Sequence, residues 1–288
     1  LAEKRTSYIL VLAGQVLISA LLIVLFLNAR LMKPLRKLMR FSNRLSHGDF
    51  DTRLDLSGSD ELGLLASQLD HVIPQLNQRG LRASFYVPIN GPTLPGRQNE
   101  WKAAAAAGHE LGNHSLFHGC SATGPGREWV QPHRNLDQQM AAAVQEQVLA
   151  ANTWLQALDG QTRRTFTPPC LDMKAGGQDF VAALQPHFVA FRAAGPGMVS
   201  DTAQLQPYAM PVYFVEGYTG EQLIALVEKA ASQGAFVSLL FHGVGAEHLS
   251  VTREAHDQLL DHLAKNKARF WTDTMVRISE TARQQAGR

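Results

Sequence analysis

Residues 9–27 read ILVLAGQVLISALLIVLFL, nineteen consecutive positions without a charged side chain. At about 1.5 Å per residue, such a helix spans the roughly 30 Å hydrocarbon core of a bilayer, where each backbone group must find its partner within the segment. The run predicts a transmembrane helix after a short flank, residues 1–8. A cleaved signal peptide would have a shorter apolar stretch followed by a small-residue cleavage site. Here Asn28-Ala29-Arg30 leads straight into basic sequence. Lys4 and Arg5 precede the span, whereas Arg30, Lys33, Arg36, Lys37 and Arg40 follow it. That asymmetry predicts that the rest of the chain lies in the cytoplasm, anchored by a single pass in a bacterial inner membrane with lipid as a partner.

Beyond the first 45 residues Lys and Arg are dispersed, and the formal net charge of the 288-residue chain is only +2. No basic stripe interleaved with aromatics occurs, which argues against a nucleic-acid partner. Cys120 and Cys170 are the two cysteines; they could pair across two loops, but two are too few for a disulfide framework and two thiols are expected.

Residues 28–68 form a helical segment with an interruption. Pro34 follows the span, an amphipathic stretch runs to Ser46, and Gly48-Asp49-Phe50 makes a connector. Asp60 and Glu61 then stand where a helix N-terminus favours negative charge. Leu62, Leu65, Leu69, Val72 and Leu76 follow at three-and-four spacing, the seam of a parallel bundle. These features in this order resemble a HAMP linker, the signal-relay module of bacterial receptors. The resemblance implies a homodimer through this segment.

From residue 69 to 288 the texture is that of an α/β domain. Residues 83–87, 165–167, 188–192 and 236–241 read as strands, and residues 72–78, 101–107, 136–158, 221–232 and 254–265 as helices. Within it lies GHELGNHSLFH, residues 108–118, in which His114 and His118 have the separation that sets two imidazoles on one helical face. RTFTPPC (164–170) and SLLFHGVG (238–245) are the other pointed stretches, the second ending a strand at His242.

With GLRASFYV (80–87), these stretches resemble the polysaccharide deacetylase family, carbohydrate esterase family 4, over roughly residues 69 to 280. The resemblance implies a distorted (β/α) barrel holding a divalent metal, zinc being the expected ion, that acts on N-acetylated amino-sugar glycans. It makes His114 and His118 the metal ligands and His242 the catalytic acid. Ser115 would brace the histidine loop, Pro168 and Pro169 would shape the groove, and Arg192 with Asp201 would form an orienting charged pair. In such a site the metal polarises the N-acetyl carbonyl and activates water, an Asp acts as base and a His protonates the departing amine.

One element of the family pattern is missing. Its Thr-Phe-Asp-Asp-Gly strand, which supplies the base and third ligand, should lie near position 60. SGSDELGLLASQLD stands there instead, and no Asp-Asp pair occurs in the chain. The expected fold is therefore an incomplete barrel, and the expected activity a membrane-anchored N-deacetylase impaired by that loss. Two other readings stay open: a HAMP-containing signal-transduction protein with a degenerate deacetylase-like output domain, and a chimeric sequence.

Overall fold

The computed structural model describes residues 68–285 and 287, except 92, 93, 95, 194, 196 and 246–248, together with residue 15. The chain divides into two units, Leu1–Ser57 and Gly58–Arg288, and the fold set out below is that of the second. The apolar run at 9–27 and most of the HAMP-like segment lie outside the described residues. Among those described, no helix is long and apolar enough to cross a membrane.

The domain opens with a π-helical turn, Gln68–Val72, running into α1, Ile73–Arg79, which ends on left-handed Gly80. Leu69, Val72 and Leu76 are buried together with Leu81, Phe85, Trp101 and Leu259. The sequence pattern placed these three on a bundle seam and also at the start of the α/β domain, and among the described residues they pack into that domain's core. Three-and-four spacing buries one helical stripe whatever lies against it, so it cannot distinguish a second helix from a sheet.

β1, Ser84–Val87, pairs in parallel with β2, Glu110–Asn113, with Ser84 opposite Glu110 and Val87 opposite Asn113. Between them runs α2, Gln98–Ala106, whose Trp101 packs edge-on against Phe85. The parallel succession continues through bridges from Asn113 to Phe166, Phe166 to Phe191 and Arg192 to Met210. Residues 210–214 then carry it into β6, Tyr213–Phe214, which pairs in parallel with β8, Leu239–Leu240. Successive parallel strands make the largely parallel α/β arrangement expected from the strand–helix alternation, in keeping with the open (β/α) barrel that the family resemblance implies. Among the described residues β1 pairs only with β2, and β8 only with β6.

Shorter pieces decorate this wall. A hairpin, β3 Lys174–Ala175 with β4 Gln178–Asp179, follows the third strand position. β5, Met198–Val199, runs antiparallel to β7, Phe236–Val237, so the strand expected over 236–241 is split at Ser238 between two partners. β9, Gly243–Val244, pairs with β10, Ser250–Val251.

On the outside, α3, Ala141–Asp159, buries Val144, Val148, Ala151 and Leu155. It starts later than the periodicity from Leu136 predicts. Leu136–Gln138 is a separate 3-10 turn capped by Asn135, and Met140 is extended. α4, Gly220–Gln233, is begun by a capping box between Thr219 and Gln222. α5, Arg253–Lys265, is begun by Thr252, and α6, Met275–Gln285, closes the chain.

Candidate metal centre

Parallel strands present their C-terminal ends on one side of a sheet, and the predicted residues sit just beyond those ends. β2 stops at Asn113, whose side chain faces the helical layer. Its Nδ2 donates to the Val148 carbonyl at 2.8 Å and to Asn152 Oδ1 at 2.7 Å. Its Oδ1 accepts from the Ser115 amide at 2.8 Å. Ser115 and His118 take left-handed backbone angles, φ 66° and 53°, strained for residues with a Cβ. The Ser115 hydroxyl accepts from the His118 amide at 3.0 Å and closes the loop. Residues 114–118 are thus a tight loop rather than a helix, which corrects the helical-face expectation, and the loop sets the two rings 4.8 Å apart at 81°.

His114 Nδ1–H donates to the Thr167 carbonyl at 2.8 Å, fixing the tautomer and leaving the Nε2 lone pair for another partner. Burial first, then the neighbouring His118, hold His114 well below the ordinary imidazole range, so its ring is neutral. His242, exposed just past β8, is near enough to His114 to contribute to the same effect.

Beneath the loop, alternate residues of the strands form a polar column. Tyr86 OH lies 2.6 Å from Thr165 Oγ1, and the Arg192 guanidinium stacks 5.3 Å from the Tyr86 ring centroid. Arg192 Nε donates to Thr167 Oγ1 at 2.9 Å. Glu110 receives the Thr165 amide and hydroxyl at 2.7 Å each, and the Ser84 hydroxyl as well. Burial, then the Glu110 charge, push the Tyr86 phenol far above its usual range, so it stays protonated. Gly112 makes this possible, since a Cβ there would lie 2.5 Å from the Tyr86 ring. Tyr86, Glu110 and Gly112 went unnoticed in the sequence, where an isolated Tyr, Glu or Gly in a strand carries no signal of facing inward.

Pro168 and Pro169 are buried where the chain leaves the third strand position, and a 3-10 turn, Pro169–Leu171, follows. Cys170 in that turn is bonded to Cys120, with Cα atoms 5.8 Å apart, which overturns the expectation of two thiols. The pairing follows from topology: β2 and the third strand position are neighbours, so the loops beyond them emerge side by side. Cys120 Sγ lies 3.8 Å from His118 Nδ1. The Arg192–Asp201 pair does not form among the described residues. Asp201 instead accepts from the Ala203 amide at 2.9 Å and from Gln204 Nε2 at 3.2 Å, capping the turn Thr202–Gln204. A short carboxylate beside its own turn is satisfied locally, and Arg192 points into the strand column.

Two imidazoles held at this separation, one with its tautomer fixed, fit a divalent cation as two of its ligands. A catalytic site of this kind uses three protein ligands and an open position. Among the described residues no carboxylate joins His114 and His118 in a ligand cluster, and the sulfurs beside His118 are bonded to each other. Arg192 Nη1 is buried without a hydrogen-bond partner.

Comparison with known proteins agrees with this architecture. Residues 26–77 match the HAMP domain profile, and residues 60–184 match that of polysaccharide deacetylase, so the two overlap over 60–77. A candidate polysaccharide deacetylase from Mycobacterium smegmatis superposes with a TM-score of 0.52 at 13% identity, covering 75% of this chain and 77% of that one. The peptidoglycan deacetylase PdaC from Bacillus subtilis gives 0.45 at 15% identity, over 76% and 86% of the two chains. The methyl-accepting chemotaxis protein CtpH of Pseudomonas aeruginosa is 41% identical over 68 residues, 23% of this chain and 12% of its own length. The chain thus spans about an eighth of that relative. It carries a HAMP domain followed by a domain of the polysaccharide deacetylase family.

Proposed function

We propose that this chain is a membrane-anchored, HAMP-linked deacetylase-type protein that binds an N-acetylated amino-sugar glycan through a divalent metal on His114 and His118, with strongly impaired hydrolysis. The observation that carries this reading is the His114 Nδ1–H bond to the Thr167 carbonyl, which leaves Nε2 available beside the His118 ring. When bound, the metal, zinc by preference, would polarise the N-acetyl carbonyl. The protein's part is to hold the two imidazoles, to brace their loop through Ser115 and Asn113, and to present His242 as the proton donor to the departing amine. The base is what the described residues do not provide. Without it the rate should fall by about two to four orders of magnitude.

The test is zinc uptake and acetate release from an N-acetylglucosamine oligomer, for the full chain and for a His114→Ala/His118→Ala variant. Metal-dependent oligomer binding with little acetate, lost in the variant, is expected. Neither zinc nor oligomer bound would remove the reading.

A second reading is a signalling protein whose deacetylase-type domain is a degenerate output module. The unpartnered Arg192 Nη1 and the HAMP match favour it. It expects a homodimer whose HAMP crosslinks shift when the oligomer binds; a monomer at every concentration in detergent would count against it.

A further inference from the structure

Six buried side-chain nitrogen or oxygen atoms lack a hydrogen-bond partner among the described residues, and three of them converge on one spot away from the histidine loop: His71 Nε2, His256 Nδ1 and Asp257 Oδ1. A buried polar atom without a partner costs about 1–3 kcal/mol, so three facing one another point to something that satisfies them together. Asp257 Oδ1 lies 3.4 Å from His71 Nε2 and 3.8 Å from His256 Nδ1, and all three atoms fall within 4.8 Å of one another. Ligand bonds of about 2.0–2.2 Å in a tetrahedron put neighbouring donors roughly 3.3 Å apart, so binding a transition-metal ion would draw these donors together, the widest pair by up to about 1.5 Å.

We propose that His71, His256 and Asp257 form a second divalent-metal site, of zinc type, that staples the π-helical turn Gln68–Val72 to α5. The donors suit such an ion: two imidazoles and one carboxylate, which leaves a fourth position for water. His256 is 3% exposed and its ring packs edge-on against Phe241, 5.2 Å between centroids, which holds its orientation. The nearby cation Arg79 is itself paired with Asp261 at 2.6 Å, which blunts its repulsion of a metal.

The position gives the site a purpose that a surface site would lack. His71 falls within residues 60–77, which both the HAMP and the deacetylase profiles cover, whereas His256 and Asp257 lie on a helix of the deacetylase-type domain. An ion here ties the end of the relay segment to the domain it precedes. No part of this depends on the histidine loop binding metal.

The test uses tag-free full chain in detergent, stripped with a chelator and titrated with zinc against a chromophoric competitor. The His114→Ala/His118→Ala variant serves as the background, so only the second site is read. It should retain one zinc, and cobalt(II) substituted for it should show the intense visible bands of a four-coordinate site. Adding Asp257→Asn, or separately His71→Gln, should weaken that zinc at least ~10–100-fold and abolish the rise in Tm that zinc gives. Both residues are partly exposed, so folding is checked by circular dichroism without hindrance. A background variant that holds no zinc, or one whose zinc is indifferent to both added substitutions, would overturn the proposal.

Discussion

Gly112 is the residue on which the candidate centre depends most indirectly. Its missing side chain lets the Tyr86 ring lie across β2, and that ring supports the Arg192 guanidinium, which holds Thr167. Gly112→Ala inserts a methyl where the ring stands, with no flexible tip able to give way. The expected cost is about 1–3 kcal/mol of stability, as for overpacking generally, together with weaker zinc binding at His114 because Thr167 orients its ring. Chemical denaturation and zinc competition on the same variant check both; unchanged zinc affinity in a destabilised protein would separate the column from the centre. His109 supplies a second prediction. Its Nδ1 accepts from the Ala83 amide at 3.2 Å and its Nε2 lies 3.0 Å from Asn77 Oδ1, so the neutral ring joins β1, β2 and α1. Burial, then the Arg82 charge, lower its pKa to about 4, against about 6.5 in an unfolded chain. The unfolded state therefore binds the proton first. The ring's contribution is intact above pH 6.5 and is lost as the pH falls toward 4. The Tm should drop by several degrees between pH 7 and 4.5, and His109→Gln should flatten that slope; an equally steep slope in the variant would assign the acid sensitivity elsewhere.

At the scale of elements, the contest is over α1 and the turn before it. Leu76 is 4% exposed in the domain core. Leu76→Ala should cost about 2–5 kcal/mol of domain stability while leaving any dimer formed by earlier residues intact. Loss of dimer with an unchanged Tm would restore the seam reading. The sequence made α1, α4 and α5 readable because each combines helical apolar spacing with an end signal, Gly80, Thr219 and Thr252 respectively. β2 was hidden because Glu110-Leu111-Gly112-Asn113 carries no β-branched residue and alternates in no obvious way; its burial on both faces is a product of the barrel. α6 was missed because its polar sequence buries only Met275 and Ser279. The same blindness affected the centre. The histidines and the bracing Ser115 announced themselves, but the other hydrogen bonds that orient the loop run through an asparagine and a backbone carbonyl.

For the whole molecule, two observations about location pull apart. The charges around residues 9–27 predict a cytoplasmic domain, yet Cys120 and Cys170 are joined, and disulfides persist chiefly in oxidising compartments. The bond closes a span of 50 residues, for which the chain-entropy account gives about 4 kcal/mol of stability. It also pins the loop of His118 to the turn after Pro168 and Pro169. The bonded form and the charge rule cannot both hold in the cell, and the bond is the more direct observation. Alkylation of intact cells with a membrane-permeant maleimide, before and after a reductant, decides between them. The expected result is that Cys120 and Cys170 label only after reduction, and that reduction lowers the Tm of the purified chain by several degrees. Labelling without reductant would put the domain in the cytoplasm with free thiols, where Cys120 and Cys170 beside His118 would be sulfur donors to a metal rather than a staple.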